Sequence, residues 1–204
     1  MLPKPKKIFT IGHSTHTVEE FLTLLHAHEI KRVVDVRTIA KSRHNPQFNE
    51  ELLKLDLRKT KIRYLHMKGL GGLRHPKKDS VNMGWINGSF RRYADYMQTP
   101  NFQKELKKLE KIAQKTRTCL LCAEALPWRC HRSLIADALT LRKWKVFHIQ
   151  SKKTAKLHKR TSFLRVKKGI LTYPEIVKKK PRNYRALIPS AMPIKNASVN
   201  RKPR

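Results

Sequence analysis

The sequence predicts an α/β fold: a three-layer, mostly parallel open sheet with helices on both faces, followed by a small β-hairpin and a basic tail. Three observations carry this. Short apolar runs alternate with amphipathic segments from Ile8 to Ile149. The runs read as buried strands rather than as strands with one wet face. No internal repeat is visible, so the alternation implies crossover connections in a single sheet.

Taken in order, Ile8 to Ile11 is a β-branched and aromatic run ending at Gly12. A helix follows, opened by a capping box at Thr17 and Glu20, with Val18, Phe21, Leu22 and Leu25 on one face. Val33, Val34 and Val36 make the second strand, VVDVR, and the run SRHNPQFN is a polar loop broken at Pro46. Asn49 is placed to cap a helix from Glu50 to about Lys59, which leads into a strand over Ile62 to Met67. The segment Gly69 to Ser89 is a long loop that could cover a site, with Gly71 and Gly72 as hinges. Helices are expected over about Phe90 to Met97 and Pro100 to Lys115, the second capped by Thr99 with proline at its first position. Then come a strand over Thr118 to Ala123, a helix opening at Cys130, and a strand over Val146 to Ile149. FLRV and ILTY around Lys167, Lys168 and Gly169 suggest a hairpin. The expected organisation is therefore a basic lead (1–7), an α/β core (8–150), an appended hairpin (151–174) and a tail (175–204) expected to be disordered when nothing is bound.

Charge is the unusual quantity. The 204 residues hold 47 Lys and Arg against 14 Asp and Glu, a net +33, and residues 151–204 alone hold 17 basic side chains and one acidic. Solubility needs far less charge, so a polyanion or an anionic small molecule is the expected partner, with nucleic acid foremost. Three cysteines without a repeating spacing do not make a disulfide framework, which points to a reducing cytoplasm. No window approaches 18 apolar residues, so neither a signal peptide nor a membrane span is expected.

In an open parallel sheet, ligands bind outside the carboxyl ends of the strands. Those ends read His13 and Ser14, then Asp35 and Arg37, then His66, then Cys122 and Glu124. The segment TCLLCAEALPWRCHRSLIADAL adds Arg129, Cys130, His131 and Arg132 near a helix start, where backbone N–H groups and the helix dipole favour a thiolate or a bound anion. The expected catalytic group is Cys122 as nucleophile or redox thiol, Cys130 as its partner, His13 as base and Glu124 as proton exchanger. Arg37, Arg43, Arg129, His131, Arg132 and Ser14 would hold the anion, with Trp85 as an aromatic surface. Cys119, inside the strand, reads as structural. Each site residue also has a plain alternative, such as an Asp35–Arg37 ion pair or a lid-packing Trp85. Cys122, Cys130, His131 and His158 could supply tetrahedral ligands, but their spacing is not that of a zinc knuckle or ribbon. No metal or cofactor is expected.

The segments TIGHSTHTVEEF, VVDVR with SRHNPQFN, GLGGLR with GWINGSFRRYADYMQTP, LCAEALPWRCHRSLIADAL and LTYP resemble, in order from Ile8 to Pro174, the proteins grouped as domain of unknown function 488. The resemblance implies a cytoplasmic α/β domain whose signature is the Cys-Ala-Glu and Cys-His-Arg segments, and it implies no settled reaction. A looser, architectural similarity is to rhodanese and Cys-dependent phosphatase folds. Here six residues separate Cys122 from Arg129, against five in the phosphatase loop. Two functions follow as expectations: a Cys-dependent enzyme acting on a nucleotide, nucleic acid or other anion, or a non-enzymatic module that binds one.

Overall fold

The structure is a computed structural model that describes residues 6–175. The expected tail from 176 onward, and residues 1–5 of the basic lead, lie outside the described residues. Six strands form the main sheet: β1 (Lys7–Gly12), β2 (Arg32–Asp35), β3 (Arg63–His66), β4 (Thr118–Cys122), β5 (Lys145–Ile149) and β6 (Ala155–Leu157). Their order is β3-β2-β4-β1-β5-β6, parallel except for β6, which runs antiparallel on β5. A separate antiparallel hairpin, β7 (Arg165–Lys167) and β8 (Ile170–Thr172), turns at Lys168 and Gly169, both at positive φ.

The central strands show why period-two alternation is missing from the sequence. All five residues of β4 are buried, because both faces of the sheet are covered. On one face α1 (Val18–Ala27) and α2 (Glu50–Lys59) bury Phe21, Leu25, Leu53 and Leu57 against Phe9, Val33 and Leu121. The other face is covered by α3 (Gly88–Met97), α4 (Pro100–Lys115) and α5 (Arg132–Leu141), whose Tyr93, Phe102, Leu106 and Leu134 pack on Ile8, Val34 and Leu120. The capping box at Thr17 and Glu20 and the Thr99 cap with Pro100 both form.

Two sequence expectations need correction. Asn49 occupies the cap position of α2, but its side chain accepts from the Ser42 amide instead of capping the helix. The fifth helix begins at Arg132, not Cys130, because Pro127 first drives a tight 3₁₀ turn over Pro127–Arg129 and leaves Cys130 extended. Gly71 and Gly72 are close-approach glycines: a Cβ would lie 2.5 Å from Thr38 Oγ1 at the first and 2.7 Å from His131 Nδ1 at the second. Strand β6 was not foreseen, since three residues between lysines carry no readable pattern.

The segment after β6 is fastened to α5 through one carboxylate. Asp137, fully buried, accepts from the Thr161 amide and hydroxyl, from Tyr173 Oη at 2.9 Å and from His158 Nε2 at 2.9 Å. Removing it strands several buried donors at about 1–3 kcal/mol each. Asp137→Ala is therefore expected to speed amide hydrogen exchange over residues 158–173 while exchange in β1 and β4 stays slow; uniform protection across both regions would contradict this role.

Candidate functional site

Strands β1 and β4 are neighbours, yet the helices that follow them, α1 and α5, pack on opposite faces of the sheet. A crevice opens where such connections diverge. Its walls are tied together by backbone bonds, from His13 N–H to Cys122 O and from Ser14 N–H to Ala123 O, each 2.9 Å. Gly12 permits this approach, since a Cβ there would lie 1.9 Å from the Glu124 carbonyl oxygen.

The floor of the crevice holds two thiols and an imidazole. His131 Nε2 donates to the Val36 carbonyl at 2.9 Å, which leaves Nδ1 facing Cys130 Sγ at 3.7 Å and Cys122 Sγ at 3.9 Å. Arg132, the first residue of α5, is 1% exposed. Its backbone N–H and its Nε reach Cys130 Sγ at 3.5 and 3.4 Å, and Nη2 donates to the carbonyls of Glu124 and Ala125. Among the described residues no carboxylate pairs with this guanidinium. A buried cation without a countercharge is unfavourable, and Cys130 Sγ is the contacting group that can carry negative charge. Burial alone pushes the Cys130 thiol up, but the hydrogen bond from Cys122, the adjoining His131 ring and the Arg132 charge outweigh it and hold Cys130 well below its ordinary range. Cys122, donating to Cys130 and itself buried, is raised.

A second buried group sits beside the first. Arg37 holds Asp35 through a fork, Nε to Oδ1 at 2.9 Å and Nη2 to Oδ2 at 2.5 Å, and Tyr64 donates to the same carboxylate. Its remaining donors go to the Phe48 carbonyl and to His13 Nε2 at 3.4 Å. His13 donates from Nδ1 to the Ser14 carbonyl and stacks on Phe48 at 4.4 Å. Burial, with the Arg37 charge adding to it, lowers the His13 pKa to about 4. His66 Nε2 bonds the Arg37 carbonyl at 2.9 Å, and its Nδ1 lies 3.2 Å from Glu50 Oε2.

These residues frame a pocket of about 390 Å³ lined by Cys122, Cys130 and His131 below, Glu124, Arg129 and Lys41 at the rim, Ser42 and Ser89, and the apolar Ile39, Leu73 and Phe90. The sequence profile described as Domain of unknown function DUF488 matches residues 17–139, more than half of the chain and all of this floor. The chain belongs to that family. No curated protein and no solved structure matches it.

In this DUF488 chain the expected site residues divide by position. Arg37, Cys122, Glu124, Arg129, Cys130 and His131 line the pocket, and Arg132 lies directly beneath it. His13 and Ser14 lie outside the pocket lining, the His13 lone pair turned to the Arg37 guanidinium and the Ser14 amide bonded to the Ala123 carbonyl. Arg43 is exposed and away from the lining. Trp85 packs on Phe90, Phe163 and Tyr173 and faces a separate groove of about 770 Å³, which Trp128, His148, His158, Lys156 and Lys159 also line. His158 is held between Asp137 and His148 and does not reach the cysteines. The donor atoms of Cys122, Cys130 and His131 all lie within 4.8 Å of one another, the one such set among the described residues. Lys41, Ser42 and Ser89 were missed because ordinary surface types in loops carry no sequence signal. The Thr10–His148–His158–Asp137 chain was missed because its members are scattered over 149 positions. No described helix is long and apolar enough to cross a membrane.

Arg37 and His13 give two expected outcomes. Breaking the buried Asp35–Arg37 pair costs about 3–5 kcal/mol, so Arg37→Ala should melt well below the parent, whereas a parent-like melting temperature would mean that Arg37 is free to serve a ligand. His13 and His148, lowered by burial to about 4 and about 3, stay neutral in the native protein while the unfolded chain takes up protons below about 6.5. Stability should thus be level above pH 6.5 and fall as pH drops toward 4, with a shallower fall in His13→Asn; a melting temperature flat across that window would contradict the neutral assignment.

Proposed function

We propose that the chain is an enzyme that carries out sulfur-centred chemistry on an anionic substrate of nucleotide class, bound across the carboxyl edge of the sheet. The observation that carries this reading is the buried Arg132 guanidinium, which has no carboxylate partner among the described residues and touches Cys130 Sγ at the floor of an open pocket. Its Nη2 is spent on the Glu124 and Ala125 carbonyls, while its Nε and backbone N–H are aimed at sulfur. Arg129 and Lys41 at the rim would hold phosphate or carboxylate, and Ile39, Leu73 and Phe90 offer a wall for a ring. The pocket volume falls within the range of about 300–1,000 Å³ usual for small-molecule sites. Glu124, exposed on the same rim and accepting only from the Leu126 amide at 3.4 Å, is placed to exchange a proton with solvent. Relative to the sequence expectation the emphasis moves from Cys122 to Cys130, because the cationic donors reach the latter sulfur.

A second contact with polyanions is supported by charge alone. Residues 151–204 carry 17 basic side chains and one acidic, so this segment would grip phosphates without sequence preference.

Two measurements test these readings. Thermal shifts of the full chain with inorganic phosphate, a nucleoside monophosphate and the matching neutral nucleoside should rise for the anions, by about 2.7 kcal/mol of stability at a hundredfold excess over Kd. The rise should shrink in Lys41→Ala and Arg129→Ala; a rise untouched by both substitutions would move the anion elsewhere and end this reading of the pocket. For duplex DNA, the logarithm of affinity should fall by about 0.9 per neutralised phosphate for each tenfold rise in salt. Deleting residues 176–204 should flatten that slope, and an unchanged slope would place the contact on the core.

A further inference from the structure

We infer that Cys122, Cys130 and His131 form a zinc site whose fourth position opens into the pocket. The placement of the ion stands on the ligands alone; what it would do there rests on the proposed function.

Distances come first. A tetrahedral zinc bound at about 2.3 Å by sulfur and about 2.0 Å by nitrogen sets sulfur and nitrogen roughly 3.5 Å apart. His131 Nδ1 lies 3.7 Å from one sulfur and 3.9 Å from the other, and all three donor atoms fall within 4.8 Å of one another. The two nitrogen–sulfur sides therefore need only a slight contraction to close on an ion. Two thiolates and a neutral imidazole match the charge of a divalent cation, and the set is too soft for magnesium or calcium. The chain has three cysteines, of which Cys119 packs against the opposite face of the sheet, so the four-cysteine arrangement of an iron–sulfur cluster does not arise.

The surroundings are those of a ligand set rather than of a chance cluster. His131 spends its Nε2–H on the Val36 carbonyl, which fixes the ring and points the Nδ1 lone pair inward, as outer partners of metal-bound histidines do. Arg132 supplies N–H groups to Cys130 Sγ from its backbone and its side chain, an arrangement that stabilises a bound thiolate. Gly72 closes over the ring, and any Cβ there would lie 2.7 Å from the ligating nitrogen. All three ligands line the pocket, so three protein donors leave one position for water or a substrate oxygen. On binding, each thiol that still carries a proton releases it to solvent, and two zinc–sulfur bonds and one zinc–nitrogen bond form with no change in oxidation state. An ion with an open position would polarise an anionic oxygen or lower the pKa of bound water to about 7.

The test uses the full chain, reduced, chelator-treated and titrated with cobalt(II). One equivalent should produce thiolate-to-cobalt charge-transfer absorption together with the bands of a tetrahedral ion, displaced stoichiometrically by zinc, and zinc should raise the melting temperature. Cys122→Ser and Cys130→Ser should each weaken binding by about 100-fold or more, beyond the 10–100-fold typical of losing an outer partner, while Cys119→Ala keeps the signal. Gly72→Ala, whose ligands are intact, should weaken it as well. Absence of the charge-transfer band in the folded parent, or its survival in Cys130→Ser, overturns the site. The same samples are also melted with inorganic phosphate in the presence of chelator. A phosphate shift without cobalt binding removes the metal and leaves the anion pocket standing, whereas cobalt binding without any phosphate shift removes the anion reading and leaves the metal.

Discussion

Arg132 is the residue on which the carboxyl edge of this sheet depends. Its guanidinium lies under the loop after β4, holds the Glu124 and Ala125 carbonyls through Nη2, and reaches Cys130 Sγ through Nε. The loop can lie there because Gly12, at the end of β1, presents no side chain to the Glu124 carbonyl. Arginine suits the position because it cannot shed its charge and offers donors in a fixed plane, so one side chain can bind two carbonyls and a sulfur at once. A lysine would supply fewer directed bonds, and an apolar residue would leave the loop carbonyls unsatisfied. The extended backbone at Cys130 follows from the same geometry, since the 3₁₀ turn after Pro127 lifts the chain and returns its thiol to the start of α5.

A second buried arginine does different work. Arg37 is committed to Asp35 by a fork, and its other donors are taken by Phe48 O and His13. This leaves it a wall of the pocket that holds β2, β3 and the loop before α2 in register, with Tyr64 closing on the same carboxylate from β3. The two arginines thus separate a structural ion pair from a cation that, among the described residues, has no carboxylate partner and contacts the Cys130 sulfur. On that contrast rests the proposal of sulfur chemistry at Cys130.

Much of the fold was legible. Thr17 with Glu20, Thr99 with Pro100, and the apolar runs at Ile8, Val33 and Thr118 each carry a local reason for their element that the tertiary structure reinforces. Elements were missed where no local reason exists, as at β6, or where a long-range contact captured a residue suited to a local role, as when Asn49 bonds Ser42 instead of capping α2. The candidate site was half legible. Strand-end reading named Arg37, Cys122 and Glu124, and the helix-start reading named Arg129, Cys130, His131 and Arg132. Neither could say that Trp85 turns to another groove or that Lys41 and Ser89 reach this one.

By itself, the sequence determined the α/β class, the order of the elements, the family and the inventory of thiols, imidazoles and guanidinium groups at one end of a sheet. Hydrophobic period, caps and turn residues act over a few positions, so a single chain displays them directly. Only the tertiary structure decided how those groups pair. It gave Asp35 to Arg37, left Arg132 with sulfur, and turned the free nitrogen of His131 toward two cysteines. The physical reason is that burial makes each charge and each hydrogen bond seek a partner, and the partners come from strands brought side by side from distant parts of the chain.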